Sequence, residues 1–270
     1  MNWPQVTANN YFSTDNSKFY MGVSQFKSFM ECEAAALAQV NGVYSPFKPD
    51  AMIFGSAVHA WNQYGDLSVF KAQHPEMYKK DGTMYAKYAG GSSSSGIEEC
   101  IEAMECDDLM MTALEGEKEV IMTAELFGTP WKIMIDSYNP KYGMFSDLKT
   151  MKSLYDRFWS QENGCYVNFV EHYGYDVQMS VYAEIERINA KRIERLDPHI
   201  VVITKESPPD KAVLKGFTPI IDERLAYVQI HLPRILDVKS GKVEPEHCGR
   251  CEYCRGVKKA SIIDYHELLV

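Results

Sequence analysis

No run of apolar residues in this chain approaches the twenty or so needed to cross a bilayer as a helix. The N-terminus, MNWPQVTANNYFS, lacks the basic start and apolar stretch of a secretory signal, so a cytoplasmic protein with no membrane association is expected. Internal repeats are absent, and low complexity is confined to Gly90-Gly91-Ser92-Ser93-Ser94-Ser95-Gly96. Positive charge is in deficit: the net charge is −9, which argues mildly against bulk attraction to nucleic acid. It does not exclude a nucleic-acid enzyme, because acidic metal ligands add to that total and a local groove can still be basic. The remaining composition, 46% apolar and 24% charged over 270 residues, is that of an ordinary globular protein with a sizeable core.

The stretch that organises the chain is Gly128 to Thr150, GTPWKIMIDSYNPKYGMFSDLKT. Two apolar and aromatic runs flank Asn139-Pro140-Lys141-Tyr142-Gly143, a turn composition, and predict a β-hairpin. The first strand is expected to end at Asp136 and the second to deliver Asp147, Leu148 and Lys149. Side chains alternate along a strand, so Asp147 and Lys149 point one way and Leu148 points into the core. Two carboxylates and a lysine at strand ends suit a metal-assisted hydrolase. The carboxylates hold Mg²⁺ or Mn²⁺, the metal activates a water, and the lysine orients that water or stabilises the transition state. Asp-x-Lys alone is weak, since a chain this long holds about one by chance; Asp237-Val238-Lys239, at what reads as a helix end, is such a match. Taken alone, these charges fit a solvated surface equally well.

Taken in order, Phe26, Phe29, Met30, Ala34 and Leu37 have helical spacing, with Ser24 as N-cap and Cys32 inside the helix. Residues 41–51 read as a loop. A second helix, Phe54 to Gly65, opens on the small residues Gly55, Ser56 and Ala57 and carries His59, either a satisfied histidine or a metal ligand. Residues 66–96 read as a polar, mobile excursion, and Ile97 to Leu114 as one helix holding Cys100 and Cys106. Glu117, Glu119 and Ile121 alternate, so a strand starts near 117 and completes a three-stranded meander. Glu119, in preference to Glu117, is the candidate for a further carboxylate at the metal site, with solvated edge charges as the alternative. A helical stretch is expected from Thr150 to Gln161. The next helix, Tyr175 to Arg195, sets Gln178 and Tyr182 on one face. Residues 198–206 read as a buried strand, and Phe217 to Val238 as a helix kinked at Pro233. One domain, 1–270, is expected, with a mainly helical part over 1–115, a core over 116–206, and a C-terminal helix and tail over 207–270.

The most specific local signal is His247-Cys248-Gly249-Arg250-Cys251-Glu252-Tyr253-Cys254, which holds three of the seven cysteines at C-x₂-C-x₂-C spacing. The same spacing supplies the first three ligands of bacterial four-iron, four-sulfur clusters, with the fourth cysteine from elsewhere, here Cys32. A tetrahedral zinc site using Cys32 or His247 is the competing reading. Either would clasp the N-terminal helix to the C-terminal tail.

The order His59, Asp136, Asp147-Leu148-Lys149, Gln178-x-x-x-Tyr182 resembles the RecB-like branch of the PD-(D/E)xK nucleases. Within that branch it is most similar to the exodeoxyribonuclease VIII (RecE-like) domains of phages and prophages. The resemblance spans roughly Ser24 to Cys254. It implies a restriction-endonuclease-like α/β core with a central mixed sheet flanked by helices. It also implies that Asp136, Asp147, the Leu148 carbonyl and His59 bind Mg²⁺, that Lys149 positions the attacking water, and that Gln178 and Tyr182 contact a DNA end or support the lysine. The implied function is exonucleolytic hydrolysis from the ends of linear duplex DNA in phage-type recombination or repair. A single-strand annealing recombinase as partner and a homo-oligomeric ring go with that resemblance. The alternatives are a CRISPR-type RecB-like nuclease or endonuclease, a non-catalytic DNA-binding module, and an iron–sulfur protein. The cysteine clasp is also similar to that of some helicase-nuclease and CRISPR-associated members, whose last spacing is longer than the two residues between Cys251 and Cys254.

Overall fold

A computed structural model describes residues 3–47, 49–91, 94–161 and 163–266. Five strands form the central sheet: β1 (Glu117–Leu126), β2 (Thr129–Asn139), β3 (Met144–Met151), β4 (Asp197–Thr204) and β5 (Lys211–Leu214), side by side in that order. β1, β2 and β3 are the expected antiparallel meander, β3 and β4 run parallel, and β5 returns antiparallel. The helices that matter for the site are α1 (Val23–Glu31), α2 (Glu33–Val40), α3 (Asp50–Tyr64), α4 (Tyr175–Asn189) and α5 (Ile221–Lys239).

Strand periodicity divides the core into two layers. Ile200 and Val202 of β4 join Trp131, Ile133, Ile135 and Phe145 in a layer shared with α1, α4 and α5. Val201 and Ile203 join Leu148 in the opposite layer, with Phe54, Val58 and Trp61 of α3. Both faces of β4 are therefore covered, which explains its unbroken apolar run. The α/β class and the mixed, helix-flanked sheet are those expected from the sequence.

Several local boundaries differ. The 24–37 helix is two helices: Gly22, not Ser24, is the N-cap, and the chain breaks at Cys32, which is extended (φ −163°, ψ 106°). Tertiary contacts hold that break open. The Glu33 carboxylate accepts from Arg234 Nε and Nη2, each at 2.8 Å, and from the Glu246 amide at 2.8 Å, and Ala34 N–H donates to the Glu246 carbonyl. The segment 66–96 is not a bare loop but carries short helices Ser68–Gln73 and Ala86–Ala89 and a Gly90–Gly91/Ser94–Ser95 pairing; Ser92 and Ser93 lie outside the described residues. The 97–114 helix breaks where Asp107 caps a new helix by accepting the Leu109 and Met110 amides. No helix occupies 150–161: β3 continues to Met151, and Phe158–Ser160 pairs with Cys165–Val167. Helix α4 ends at Asn189 rather than Arg195, and α5 is continuous through Pro233, which sits on its exposed side. β5 had no counterpart in the sequence reading. It is four residues long, half-buried along its length and too short to show a period.

Candidate active site

The site begins where β2 and β3 part. The strands pair only over Ser137–Asn139 and Met144–Ser146, and β2 runs on to Asn139 rather than ending at Asp136. Beyond Ser137 the Asp136 side chain takes the place of a ladder partner, its Oδ2 accepting the Leu148 amide at 2.7 Å. A carboxylate that accepts a backbone N–H in a buried crevice is fixed in orientation as well as in charge. Its other oxygen faces His59 Nδ1 at 3.4 Å.

His59 is delivered by α3, which lies close on the sheet. At Gly55 the position of the missing Cβ is 3.2 Å from Thr150 Oγ1, a tight approach that a side chain there would keep only if the Thr150 hydroxyl gave way by a few tenths of an ångström. One turn beyond His59, Asn62 donates to the Asp136 carbonyl and to Ser137 Oγ, both at 3.3 Å. Lys118 donates to Asn62 Oδ1 at 2.8 Å and to Ser137 Oγ at 3.1 Å. This bracket locks β2 at Asp136. The sequence reading passed over Asn62 and Lys118, although Asn62, three residues after His59, shares its helix face.

Glu119, not the exposed Glu117, is brought to the site, and its backbone is unusual. Glu119 has φ +52°, the left-handed region, within a strand. The flanking pairs Lys118–Ser137 and Val120–Ile135 are intact while Glu119 itself is unpaired. A non-glycine residue in that region costs on the order of 1–3 kcal/mol and persists where its surroundings demand it. The ligand atoms of His59, Glu119 and Asp136 lie within 4.8 Å of one another.

Asp147 lies beside this triad rather than within it. Gln178 Nε2 donates to its Oδ1 at 2.6 Å, and Lys149 Nζ pairs with its Oδ2. Leu148 is fully buried on the opposite side, as alternation required. Tyr182, one turn after Gln178, lines the same cleft with its ring against Phe145. Two further residues were not legible in the motifs. Tyr175 lies under the Lys149 ammonium at 4.9 Å and near that of Lys27 at 5.3 Å, and Lys27 also donates to the Tyr173 carbonyl at 2.9 Å. The cleft that these residues line has a volume of about 760 Å³.

Burial and crowding set the charges. Burial, then the charge of Asp136, pushes Glu119 up to about 7. Burial also raises Asp147, with Asp136 adding to it against the opposing pull of Lys149. For Asp136 the burial penalty is outweighed by His59, Lys149 and the Leu148 amide, which hold it below the usual carboxylate range. Lys149 is raised because Asp147 and Asp136 outweigh its burial, whereas burial and Lys149 lower Lys27 to about 8. Two carboxyls raised by burial and by the charge of Asp136 are a donor set that a cation would relieve. Oxygen ligands with one imidazole suit a hard or borderline divalent ion.

The second cluster is separate. Cys32, Cys248, Cys251 and Cys254 bring their sulfurs within 4.8 Å of one another, and none is in a disulfide. His247 stays outside it, with Nδ1 3.6 Å from Cys254 Sγ.

Two strands that separate around a buried aspartate, with Asp-x-Lys on the second and a helix closing over it, define the PD-(D/E)xK class. More narrowly, residues 22–257 match a family described as a PDDEXK-like domain of unknown function (DUF3799), and the chain belongs to it. The crystal structure of a "putative exonuclease" from Eubacterium rectale is similar at 36% identity and TM-score 0.89, over 98% of each chain. The structure of SSO0001 aligns over 89% of this chain and 97% of its own at 12% identity and TM-score 0.28, too low to bear on the fold. No curated protein matches the sequence.

Proposed function

We propose that this protein is a divalent-metal-dependent deoxyribonuclease that hydrolyses phosphodiester bonds from the ends of linear duplex DNA. The observation that carries this reading is one cleft in which His59, Glu119 and Asp136 converge and Lys149 pairs with Asp147. The exonuclease designation of the E. rectale protein, which is nearly co-extensive with this chain, supports it. Asp136, Asp147, Glu119, His59 and the Leu148 carbonyl would hold Mg²⁺ or Mn²⁺. Such an ion supplies Lewis acidity toward the phosphate and a water of lowered pKa.

The chain's own groups do the rest. The Leu148 amide and the Asn62–Lys118 bracket hold Asp136, and Gln178 holds Asp147. Lys149, kept charged by its carboxylates, orients the attacking water and meets the charge that develops on the phosphate. Tyr175 limits where that ammonium can move. Lys27 adds positive charge on the rim, where a DNA backbone would enter. Tyr182 shapes the cleft wall. No described helix is long and apolar enough to cross a membrane, and we place the activity in the cytoplasm. Phage-type recombination or repair, a single-strand annealing recombinase as partner and a ring assembly rest on the RecE-like resemblance alone.

The test compares end-labelled linear duplex with covalently closed circular DNA, with Mg²⁺ or Mn²⁺ added or withheld. Metal-dependent loss of linear DNA alone supports the exonuclease. Cutting of the circle would make it an endonuclease, and no loss of either substrate would overturn the catalytic reading.

A further inference from the structure

The four-cysteine centre lies outside the catalytic cleft, and its geometry decides between the two metals that the sequence left open. We infer that Cys32, Cys248, Cys251 and Cys254 bind a single zinc ion tetrahedrally, and that no iron–sulfur cluster occupies this position. The sulfur spacing carries the argument. Cys32 and Cys254 are 3.6 Å apart, Cys32 and Cys251 3.8 Å, and Cys248 and Cys254 3.9 Å. Zinc–thiolate bonds of about 2.3 Å directed to the corners of a tetrahedron set its edges at about 3.8 Å. A disulfide bond is about 2.05 Å long, so no two of these sulfurs are bonded to each other. In a four-iron cluster each iron carries its own thiolate at a corner of the cage. The four cysteine sulfurs must then surround the whole cage rather than one ion, and they stand much farther apart than here.

The backbone around the sulfurs agrees. Cys251 N–H points at Cys248 Sγ at 3.3 Å and Cys254 N–H at Cys251 Sγ at 3.4 Å, so each two-residue step folds back on its own sulfur. Gly249, at φ +73°, makes the first of these tight turns possible. Such amide bonds spread thiolate charge around a single small ion. His247, at 3.6 Å from Cys254 Sγ, can donate to that sulfur and is a supporting neighbour rather than a fourth ligand. The two-residue spacing between Cys251 and Cys254, shorter than in the iron–sulfur clasps that the sequence resembled, belongs to this compact arrangement.

The role is structural. The extended break at Cys32 turns its sulfur from the α1–α2 junction toward the tail. There Cys32, Ala34, Ala35 and Cys254 form a small buried cluster with Tyr44 and Tyr253. The centre fixes α2, and through α1 the segment that presents Lys27 to the cleft.

The experiment is metal analysis of the full chain, produced with both iron and zinc supplied, purified without oxygen or chelator, and read for zinc, iron and acid-labile sulfide. X-ray absorption at the zinc edge accompanies it. About one zinc per chain, four sulfur neighbours at about 2.3 Å and a colourless protein are expected. Cys248→Ser should lose that zinc and lower Tm by roughly 10 °C, while Cys106→Ser, at an exposed cysteine outside the centre, keeps it. Iron with matching sulfide, iron alone, or a metal-free wild type with four titratable thiols at these positions would each overturn the inference. Should Cys248→Ser prove insoluble, the wild-type stoichiometry still decides. The readout is metal content, so failure here leaves the nuclease reading untouched, and the reverse also holds.

Discussion

Replacing Asp147 by asparagine separates a metal-dependent site from a cluster of buried charges. Asp147 is 2% exposed, and its oxygens are taken by Gln178 and Lys149. In cation-free protein the substitution removes the Lys149 pair but also the repulsion from Asp136 and the burial of a charge. Those effects oppose each other, so stability should change by less than about 2 kcal/mol. The response to a cation should change far more. A cation at one hundred times its dissociation constant stabilises the folded protein by about 2.7 kcal/mol. At about 2.1 cal/mol/K per residue, a 270-residue chain has an unfolding entropy of about 0.57 kcal/mol/K, so wild type should gain about 5 °C in Tm on saturation with Mg²⁺ or Mn²⁺. Asp147→Asn should lose most of that gain, together with nuclease activity by about 10³-fold or more, equivalent to about 4 kcal/mol of transition-state stabilisation. Asp237→Asn is the control. It alters the second Asp-x-Lys, at the end of α5, where Asp237 pairs with Lys242 on the surface. Scanning calorimetry of all three proteins across a cation titration is the assay. A wild type that does not respond to cations, or an Asp147→Asn variant that responds as fully as Asp237→Asn, would refute the reasoning.

Lys149→Met should cost roughly 10²–10³-fold in DNA hydrolysis while keeping a cation-dependent rise in Tm; losing both together would make Lys149 part of the binding site instead. Arg192→Met should destabilise by about 3–5 kcal/mol, because the fully buried Glu186 would keep only the Tyr138 hydroxyl at 2.7 Å after losing Arg192 Nε at the same distance. Pairing it with Glu186→Gln should recover most of that loss, and a single-variant effect below about 1 kcal/mol in urea unfolding would contradict the assignment. Burial lowers Lys27, Lys132 and Lys239 to about 8 in the folded state. Between that value and the ordinary lysine range near 10.5 the unfolded chain holds more protons than the folded one, so stability rises with pH. Each lysine contributes up to about 1.4 kcal/mol per pH unit. From pH 7.5 to 9.5 wild type should gain more unfolding free energy than Lys132→Met does, by up to about 1.4 kcal/mol per pH unit; equal pH slopes in the two proteins would show that Lys132 is not lowered in the folded state.

What the sequence determined by itself was local or ordered along the chain. Alternation placed Asp147 and Lys149 on one side of β3 and Leu148 on the other, because side-chain direction in a strand has a period of two whatever lies nearby. The turn composition at Asn139–Gly143 set the β2–β3 hairpin, and the order of motifs pointed to the PD-(D/E)xK class. A helix was expected over Thr150–Gln161 where short strands lie, and Lys211–Leu214 carried no assignment at all, because segments this short do not register a period.

Tertiary structure alone decided the rest. Nothing local tells Asp136 that β2 and β3 separate beside it and leave the Leu148 amide for its carboxylate. Glu119 takes φ +52°, a conformation that costs about 1–3 kcal/mol locally, and there its carboxylate lies within 4.8 Å of ligand atoms of His59 on α3 and Asp136 on β2, elements that only the fold brings to it. Cys32 leaves the helical path that its neighbours specify, because Glu33 and Ala34 bond to the chain more than two hundred residues away and its sulfur meets three others there. A sequence pattern reports which face a residue lies on. Which distant faces meet, and at what distance, is set by the summed packing of the whole chain.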